Sequence, residues 1–167
     1  MGGSRAGFEA VFRCGIGYDC HRLEVGRKLV LGGVLLDSPR GSVAHSDGDV
    51  LSHAIVDALL GAAGLGDIGR HFPDTDPRWK NASSKLFLDE VRRQLAGCGL
   101  RILNIDAVVV IDEPKLAPHV GAMAGNLAAA LGIAAAQVSV KAKSSEGTTP
   151  MIAVAHAVAL LAKVNSS

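Results

Sequence analysis

Asp19 and His21 are separated by one residue, and this spacing suits metal binding. In an extended segment, residues two apart point to the same face, so a carboxylate and an imidazole would lie side by side. His53 lies about one turn into a predicted helix and could supply a third ligand. Catalytic zinc sites use three protein ligands and keep a fourth position open for water or substrate. The trio therefore predicts a catalytic zinc site, although a chance Asp-x-His pair and a histidine on a helix surface would give the same spacing.

Two groups of polar residues accompany His53 in the sequence. Asp49 and Asp57 lie four residues before and after it, on one stripe of the helix, so a neighbouring carboxylate could orient the imidazole. His45 and Ser46 precede the helix, where free backbone amides attract anions, and they could hydrogen-bond a phosphate or a hydroxyl. An ordinary helix N-cap with polar neighbours would contain the same residues.

Other polar segments lie between the predicted elements. Residues 67–84 form a long loop rich in Asp, Pro and Gly, and loops of this length are usually functional or disordered. Its carboxylates could accept hydrogen bonds from a polyol, or they could cap turns. Lys115 and Glu146 each follow a predicted strand. Lys115 could contact a phosphate and Glu146 could hold a hard cation such as Mg²⁺, although solvated turn charges would give the same pattern.

The first predicted helix places His53. It begins near Gly48, with Ser46 or Asp47 as its cap. Apolar residues at helical spacing follow, and Gly64 marks its end.

Two more helices follow. The first covers residues 83–99, with Leu86, Val91 and Leu95 facing inward, and the second covers residues 118–131.

The strands complete a two-layer arrangement. Strands are predicted at 12–17, 29–36, 105–111 and 138–143. Residues 29–36 contain a Gly-Gly irregularity that suits a bulge or a close backbone approach. For residues 152–164 the alanine content favours a helix, whereas the position after a Gly/Thr/Pro loop allows a strand. Strands between helices that are apolar on one face predict a two-layer α+β or α/β sandwich, with helices on one side of the sheet.

Composition limits the possible functions. The chain has 167 residues and a formal net charge of +1, which fits one domain (residues 13–164) after a flexible leader (residues 1–12). No Lys/Arg run and few aromatic residues argue against nucleic-acid binding. No signal peptide is evident, and the last apolar stretch is too short to cross a bilayer.

The cysteines point to a reducing compartment. Their number is three, and they show no C-x-x-C pairing, which argues against a disulfide framework. Buried, inert thiols are the expectation for all of them. Together with the missing targeting segment, this predicts a cytoplasmic location.

Six ordered motifs carry a family resemblance. They are GYDCHRL, LGG, AHSDGDVLSHAIVDALLGAAGLGDIG, HFPDTDPRW, DEPKLAPH and VKAKSSEG. In this order and spacing, over Arg13 to Leu161, they closely resemble the 2-C-methyl-D-erythritol 2,4-cyclodiphosphate synthases of the non-mevalonate isoprenoid pathway.

The resemblance implies a fold, an assembly and a reaction. The fold would be an α+β sandwich with a mixed sheet and helices on one face, assembled as a homotrimer with active sites at subunit interfaces. The reaction would convert 4-diphosphocytidyl-2-C-methyl-D-erythritol 2-phosphate to the cyclic diphosphate and release CMP, which makes the enzyme a metal-dependent phosphorus-oxygen lyase. One Zn²⁺ per subunit would act with Mg²⁺ or Mn²⁺ that bridges the substrate phosphates.

The resemblance also assigns roles by position. Asp19, His21 and His53 match the family's zinc ligands, and Glu146 matches its ligand for Mg²⁺ or Mn²⁺. His45 and Ser144 match the pair assigned to transition-state stabilisation, with Ser144 where many members carry threonine. The segments that bind methylerythritol phosphate are matched by Ser46, Asp67, Ile68, Gly69, Phe72, Pro73, Asp74, Thr75 and Asp76. The cytidine-diphosphate pocket of an adjacent subunit is matched by Ile111, Pro114, Lys115, Leu116, Ala117, Ala142, Lys143, Ser144 and Ser145.

One departure and two alternatives accompany the resemblance. Residues 147–151 are shorter than the family loop whose arginine and glutamate line the trimer axis, so an axial ligand site is not implied. The alternatives are a phosphohydrolase that uses the same zinc to activate water and a trimeric binding protein with a structural zinc. A structural site needs a fourth ligand, and the nearby Cys20 would point to the opposite strand face.

Overall fold

A computed structural model describes residues 12–164. Its strands are β1 (Phe12–Val25), β2 (Leu29–Leu31), β3 (Val34–Leu36), β4 (Arg40–Ser42), β5 (Leu100–Val110), β6 (Val138–Lys143) and β7 (Ile152–Lys163). Its helices are α1 (Val50–Ala63), α2 (Ile68–His71), α3 (Ser84–Gly97) and α4 (Val120–Leu131), with short 3-10 turns at Pro77–Trp79, Ala117–His119 and Ala135–Gln137. The predicted leader lies outside the described residues, apart from Phe12, which begins β1.

The main sheet is mixed. Its strand order is β4-β1-β7-β5-β6, in which only β5 and β6 run parallel. Helices α1, α3 and α4 cover one face, and β2 and β3 form a separate hairpin. The predicted mixed α+β fold with helices on one face is therefore confirmed. Among residues 12–164, no helix combines the length and the apolar composition that a bilayer crossing requires.

Small residues bring α1 very close to the sheet. A Cβ atom on Gly17 would overlap the carbonyl oxygen of Ala54, and one on Gly15 would overlap that of Ala58. The buried face of β7 consists of alanines between Ala153 and Ala159. This close approach fixes the distance between α1, which carries His53, and β1, which carries Asp19.

On the opposite face of the sheet, β1 and β7 carry apolar side chains that no element within residues 12–164 covers. Ile16 and Tyr18 on β1 are 74% and 53% exposed, and Val158 on β7 is 43% exposed. Register places Ile16 opposite Val158 and Tyr18 opposite His156, so these side chains form one continuous patch. An apolar patch across two long central strands usually marks an interaction surface.

The open choice for residues 152–164 resolves as a strand. β7 pairs with β1 on one side and β5 on the other, and its burial alternates with a period of two. Alanine at every second position lets α1 approach, so tertiary packing overrides the helix propensity of the segment.

The predicted start of the first helix was wrong. α1 begins at Val50 with Asp49 as its cap, and Gly48 has a positive φ of 71°, which breaks the helix before that point. The carboxylate of Asp47 instead binds Ser84. The end was correct, since Gly64 caps α1 in the left-handed conformation.

Residues 29–36 form a hairpin rather than one strand with a bulge. Gly32 and Gly33 both have positive φ, the geometry of a two-residue hairpin turn. Both amides donate to the buried carboxylate of Asp49, at 2.9 and 2.8 Å, which ties the hairpin to the start of α1.

Two side-chain predictions were also wrong. Leu86 is 52% exposed, because the buried stripe of α3 runs through Phe87 and Leu88 to Val91 and Leu95. The cysteines are all exposed, since Cys14 and Cys20 lie on the uncovered face of β1 and Cys98 caps α3.

Candidate metal centre and adjoining pockets

Three side chains converge where β1 meets α1. Asp19 and His21 share the inner face of β1, and His53 projects from the first turn of α1. Asp19 Oδ2 lies 3.2 Å from His21 Nε2 and 2.9 Å from His53 Nδ1, and the two ring nitrogens are 3.3 Å apart. The other oxygen, Asp19 Oδ1, accepts from the Cys20 amide, which orients the carboxylate. The sequence prediction that these three residues form a group is confirmed.

The donor set fits a divalent metal ion. Two imidazoles and one carboxylate offer one ligand atom each, and these atoms lie within 4.8 Å of one another. Three protein ligands with one side open to a cavity is the arrangement of a catalytic zinc site rather than a closed structural one.

The local field favours a cation at this point. Burial opposes ionisation of Asp19, but hydrogen bonds from His21 and His53 outweigh it and hold the pKa of that carboxyl well below its usual value. For His53, burial opposes the charged form, yet the hydrogen bond to Asp19 prevails and raises the pKa of the imidazole. The lowered pKa of Asp19 and the raised pKa of His53 both reflect the negative charge of this carboxylate, which attracts a cation.

A cavity of about 440 Å³ adjoins the three ligands. Its further lining residues are Ala44, His45, Ser46, Ile68, Gly69, Phe72, Pro73, Asp74, Trp79 and Phe87. Most of the segments matched to substrate binding therefore meet at this cavity. Asp67, Thr75 and Asp76 do not line it, because Asp67 caps α2 and Asp76 caps the turn at Pro77–Trp79.

An aromatic group closes one side of the cavity, and of its members only Phe72 was predicted as a site residue. Phe72 stacks on Phe87 at 4.5 Å between ring centroids and meets Trp79 edge-on at 5.1 Å. Phe87 also packs 5.9 Å from the His53 ring. Phe87 shares the buried face of α3 with Val91 and Leu95, but no sequence signal places it against His53.

The predicted partners of His53 on α1 were wrong. Asp49 accepts hydrogen bonds from Gly32, Gly33 and Ser52, and Asp57 accepts from the Ile68 amide at 2.7 Å. Neither carboxylate forms a hydrogen bond with the His53 ring. The two carboxylates lie on the same helix stripe as His53, as predicted. They are instead hydrogen-bonded to backbone amides of neighbouring segments.

His53 Nε2 instead faces two serine hydroxyls. Ser84 Oγ lies 2.9 Å away and Ser46 Oγ lies 3.2 Å away. Ser84 begins α3 and is 1% exposed. Its position 31 residues from His53 in the chain explains why the sequence gave no indication of the contact.

A second cavity, of about 220 Å³, lies at the ends of β5 and β6. It is lined by Ile111, Asp112, Pro114, Lys115, Leu116, Ala117, Ala142, Lys143 and Ser144, nearly the whole set matched to cytidine diphosphate. Asp112 lies within the matched segment 111–117, but its contact with Ser145 was not predicted. Its carboxylate accepts from the Ser145 amide and hydroxyl, at 2.6 and 2.8 Å, and so joins the two segments. Ser144 Oγ donates to Glu146 Oε1 at 2.5 Å.

Within one chain the two cavities are separate. Asp19 pairs with Ala155, which pairs with Val109, which in turn pairs with Ala142. Three strand spacings of roughly 4.8 Å place β6 about 14 Å from β1. The structure therefore does not bring Ser144 or Glu146 to the metal ligands of the same chain.

Comparison with known proteins identifies the family. The YgbB family profile matches residues 12–164. The protein named 2-C-methyl-D-erythritol 2,4-cyclodiphosphate synthase in Gloeobacter violaceus is 55% identical over 159 residues, which is 93% of this chain and 96% of that protein. The one in Desulfosudis oleivorans is 60% identical over 135 residues, 81% of this chain and 80% of that protein.

A solved structure agrees with the sequence comparisons. The CDP-bound form of a 2C-methyl-D-erythritol-2,4-cyclodiphosphate synthase superposes with a TM-score of 0.85 at 47% identity, and covers 89% of this chain and 99% of that one. With both the sequence and the fold in agreement, the chain belongs to the family of 2-C-methyl-D-erythritol 2,4-cyclodiphosphate synthases.

Proposed function

We propose that residues 13–164 form a single cyclase domain that converts 4-diphosphocytidyl-2-C-methyl-D-erythritol 2-phosphate to 2-C-methyl-D-erythritol 2,4-cyclodiphosphate and releases CMP. The 2-phosphate of the substrate attacks its own β-phosphorus, so no protein nucleophile is required. The observation that carries this proposal is the convergence of Asp19, His21 and His53 on a cavity lined by the polar segments of the family motifs. We assign the enzyme to the phosphorus-oxygen lyases and to the cytoplasm.

The metals supply charge stabilisation. Zn²⁺ held by Asp19, His21 and His53 would polarise the β-phosphate, and Mg²⁺ or Mn²⁺ at Glu146 would neutralise charge shared by the α- and β-phosphates. The donor chemistry of each position fits its ion, since imidazoles suit zinc and a lone carboxylate suits a hard cation that keeps waters.

The chain's own groups fold and enclose the substrate. His45 and Ser46 sit at the rim of the larger cavity, where they can hydrogen-bond a phosphate. Backbone hydrogen bonds from Asn81 to His45 and from Asp47 to Ala82 hold this segment against the long loop. The aromatic side formed by Phe72, Phe87 and Trp79 excludes water. Ring closure within one flexible molecule depends on such positioning.

We further propose that the active site is completed between subunits of a homotrimer. His45 lines one cavity and Ser144 lines the other, so the pair assigned to the transition state cannot act together from one chain. The apolar patch around Ile16, Tyr18 and Val158 offers a surface through which copies of the chain can associate.

The reaction itself is tested by product analysis. The purified protein with Zn²⁺ and Mg²⁺ is incubated with the diphosphocytidyl substrate, CMP is measured by chromatography, and the second product is identified by phosphorus NMR. We expect equal amounts of CMP and the cyclic diphosphate, and loss of both after metal chelation, with recovery when zinc is returned. CMP together with a ring-opened phosphate would show a phosphohydrolase and refute the cyclase.

Subunit mixing tests the shared site. We expect His53→Ala and Glu146→Ala each to be inactive alone, because each destroys a different half of the site. Unfolding and refolding them together in equal amounts forms mixed trimers, in which about a quarter of the sites combine an intact half from each of two neighbours.

The controls for mixing are each variant refolded alone and the wild type refolded alone. Recovery near a quarter of the refolded wild-type activity supports halves from different chains. Activity no higher than the sum of the two variants would show that each site is built within one chain.

A further inference from the structure

A buried chain of hydrogen bonds leads away from the metal centre on the far side of His53. His53 Nδ1 faces Asp19, and His53 Nε2 lies 2.9 Å from Ser84 Oγ. The same hydroxyl contacts Asp47 Oδ1, while Asp47 Oδ2 accepts from the Ser84 amide at 2.8 Å. Ser84 is 1% exposed and His53 is 7% exposed, so water does not compete for these groups.

The chemistry of the three groups fixes the direction of the chain. An ionised carboxylate accepts hydrogen bonds and cannot donate, so the single hydroxyl proton of Ser84 must point to Asp47. Ser84 Oγ can then only accept from His53, which places a proton on Nε2 of the imidazole. A neutral imidazole with its proton on Nε2 carries a lone pair on Nδ1. That lone pair is directed at the point shared by Asp19 and His21.

We propose that Ser84, held by Asp47, is a positioning residue that fixes His53 in the tautomer required for metal binding. The inference rests on the proposed function only in that a divalent metal occupies the three-ligand site. His53 Nδ1 and Asp19 Oδ2 are 2.9 Å apart, so a proton or a metal ion must lie between them. With Nε2 donating to Ser84, the ring can release the Nδ1 proton and bind a metal ion as a neutral ligand. The hydrogen bonds from His53 to Ser84 and from Ser84 to Asp47 therefore leave His53 Nδ1 available to a metal ion.

The other polar groups near His53 do not have this role. Ser46 Oγ is farther from Nε2, at 3.2 Å, and Ser46 lines the cavity, where it is available to substrate. The carboxylates of Asp49 and Asp57 are occupied by backbone amides of the hairpin and of α2. Ser84 is absent from the lining of that cavity, so its hydroxyl acts through His53 rather than on a ligand.

Two substitutions test the chain through zinc affinity. Ser84→Ala removes the acceptor. Asp47→Asn keeps the side-chain shape. If the asparagine oxygen accepts the hydrogen bond from the Ser84 backbone N–H, its NH₂ group faces Ser84 Oγ and donates to it. The Ser84 hydroxyl then donates to His53 Nε2, which reverses the direction of the hydrogen bonds. We expect each variant to bind zinc about 10- to 100-fold more weakly in competition with a chromophoric chelator, the range typical of groups that orient metal ligands.

A matched control separates this role from helix capping. Ser83 neighbours Ser84, and its hydroxyl caps α3 by accepting from the Lys85 amide, yet it has no recorded contact with His53. Ser83→Ala should lower the thermal midpoint of the metal-free protein and leave zinc affinity unchanged. Ser84→Thr retains the hydroxyl and should recover most of the zinc affinity lost in Ser84→Ala.

A measurement on the wild type keeps the inference falsifiable if a variant does not fold. In zinc-loaded protein labelled with ¹⁵N-histidine, we expect a proton on His53 Nε2 that exchanges slowly with water. Rapid exchange of that Nε2 proton, or wild-type zinc affinity in both Ser84→Ala and Asp47→Asn, would overturn the proposal. Wild-type protein that binds zinc but forms no cyclic product would refute the cyclase alone. Wild-type protein that binds no zinc would refute both.

Discussion

We expect His53→Ala to abolish turnover while the fold persists. The substitution removes one of the three metal ligands and leaves Asp19 and His21, which are too few to hold zinc against solvent. Lewis-acid stabilisation by a metal contributes several kcal/mol, and each 1.36 kcal/mol is a factor of ten in rate, so kcat should fall by about 10³-fold or more. The assay follows CMP release in the presence of excess zinc, with bound zinc measured after gel filtration.

A second substitution separates the lost ligand from the lost volume. His53 is buried against Phe87, so alanine leaves a cavity and costs stability as well as zinc. His53→Leu fills that volume without offering a ligand atom. We expect both variants to be inactive and free of zinc, with His53→Leu the more stable of the two in urea. Turnover in either variant without bound zinc would contradict a metal-dependent mechanism.

Two of the three residues that could hold a metal ion were predictable because their geometry is local. Asp19 and His21 share a strand face by the two-residue period, and that pattern is visible in the sequence. His53 joined them through the motif resemblance, since helical spacing alone gives no information about which strand α1 will contact. The same limit explains why Ser84 and Phe87 were missed: both reach His53 from α3, more than thirty residues away.

Secondary structure could not be predicted from the sequence where tertiary contacts outweigh local preference. The alanines of β7 favour a helix in isolation, but two neighbouring strands and the close approach of α1 require an extended segment of small residues. The burial of Cys14 and Cys20 was predicted wrongly for a different reason. Cysteine is usually buried, but these two residues lie on the face of β1 that is exposed within residues 12–164.

The exposed face of the sheet bears on the two separate cavities, because copies of the chain could associate through it. A sheet with helices on one side has a second face, and within residues 12–164 the strands β1 and β7 leave Ile16, Tyr18 and Val158 exposed on it. Association through this face would bury the apolar patch and bring copies of the chain together. One chain contains both cavities, but their separation becomes visible only when strand order is known.

Gly17→Ala should disrupt both the fold and the metal centre. The added methyl would overlap the Ala54 carbonyl oxygen and lie 2.7 Å from the Ala58 amide nitrogen, and helix backbone cannot move aside as a side chain can. Overpacking usually costs about 1–3 kcal/mol, and a backbone overlap should reach or exceed the upper end. Because α1 must shift away from β1, His53 moves from Asp19 and zinc affinity falls with stability.

Gly61→Ala is the matched control for Gly17→Ala. Gly61 lies on the exposed side of α1, and an added Cβ would come no closer than 3.9 Å to its nearest neighbour, the Ile16 carbonyl oxygen. The same chemical change should therefore stabilise the protein by about 0.5–1 kcal/mol, since alanine favours the helix. Urea unfolding of both metal-free variants and zinc competition on the folded proteins measure the two effects. Gly17→Ala with wild-type stability and zinc affinity would show that the contact between α1 and β1 does not set the ligand geometry.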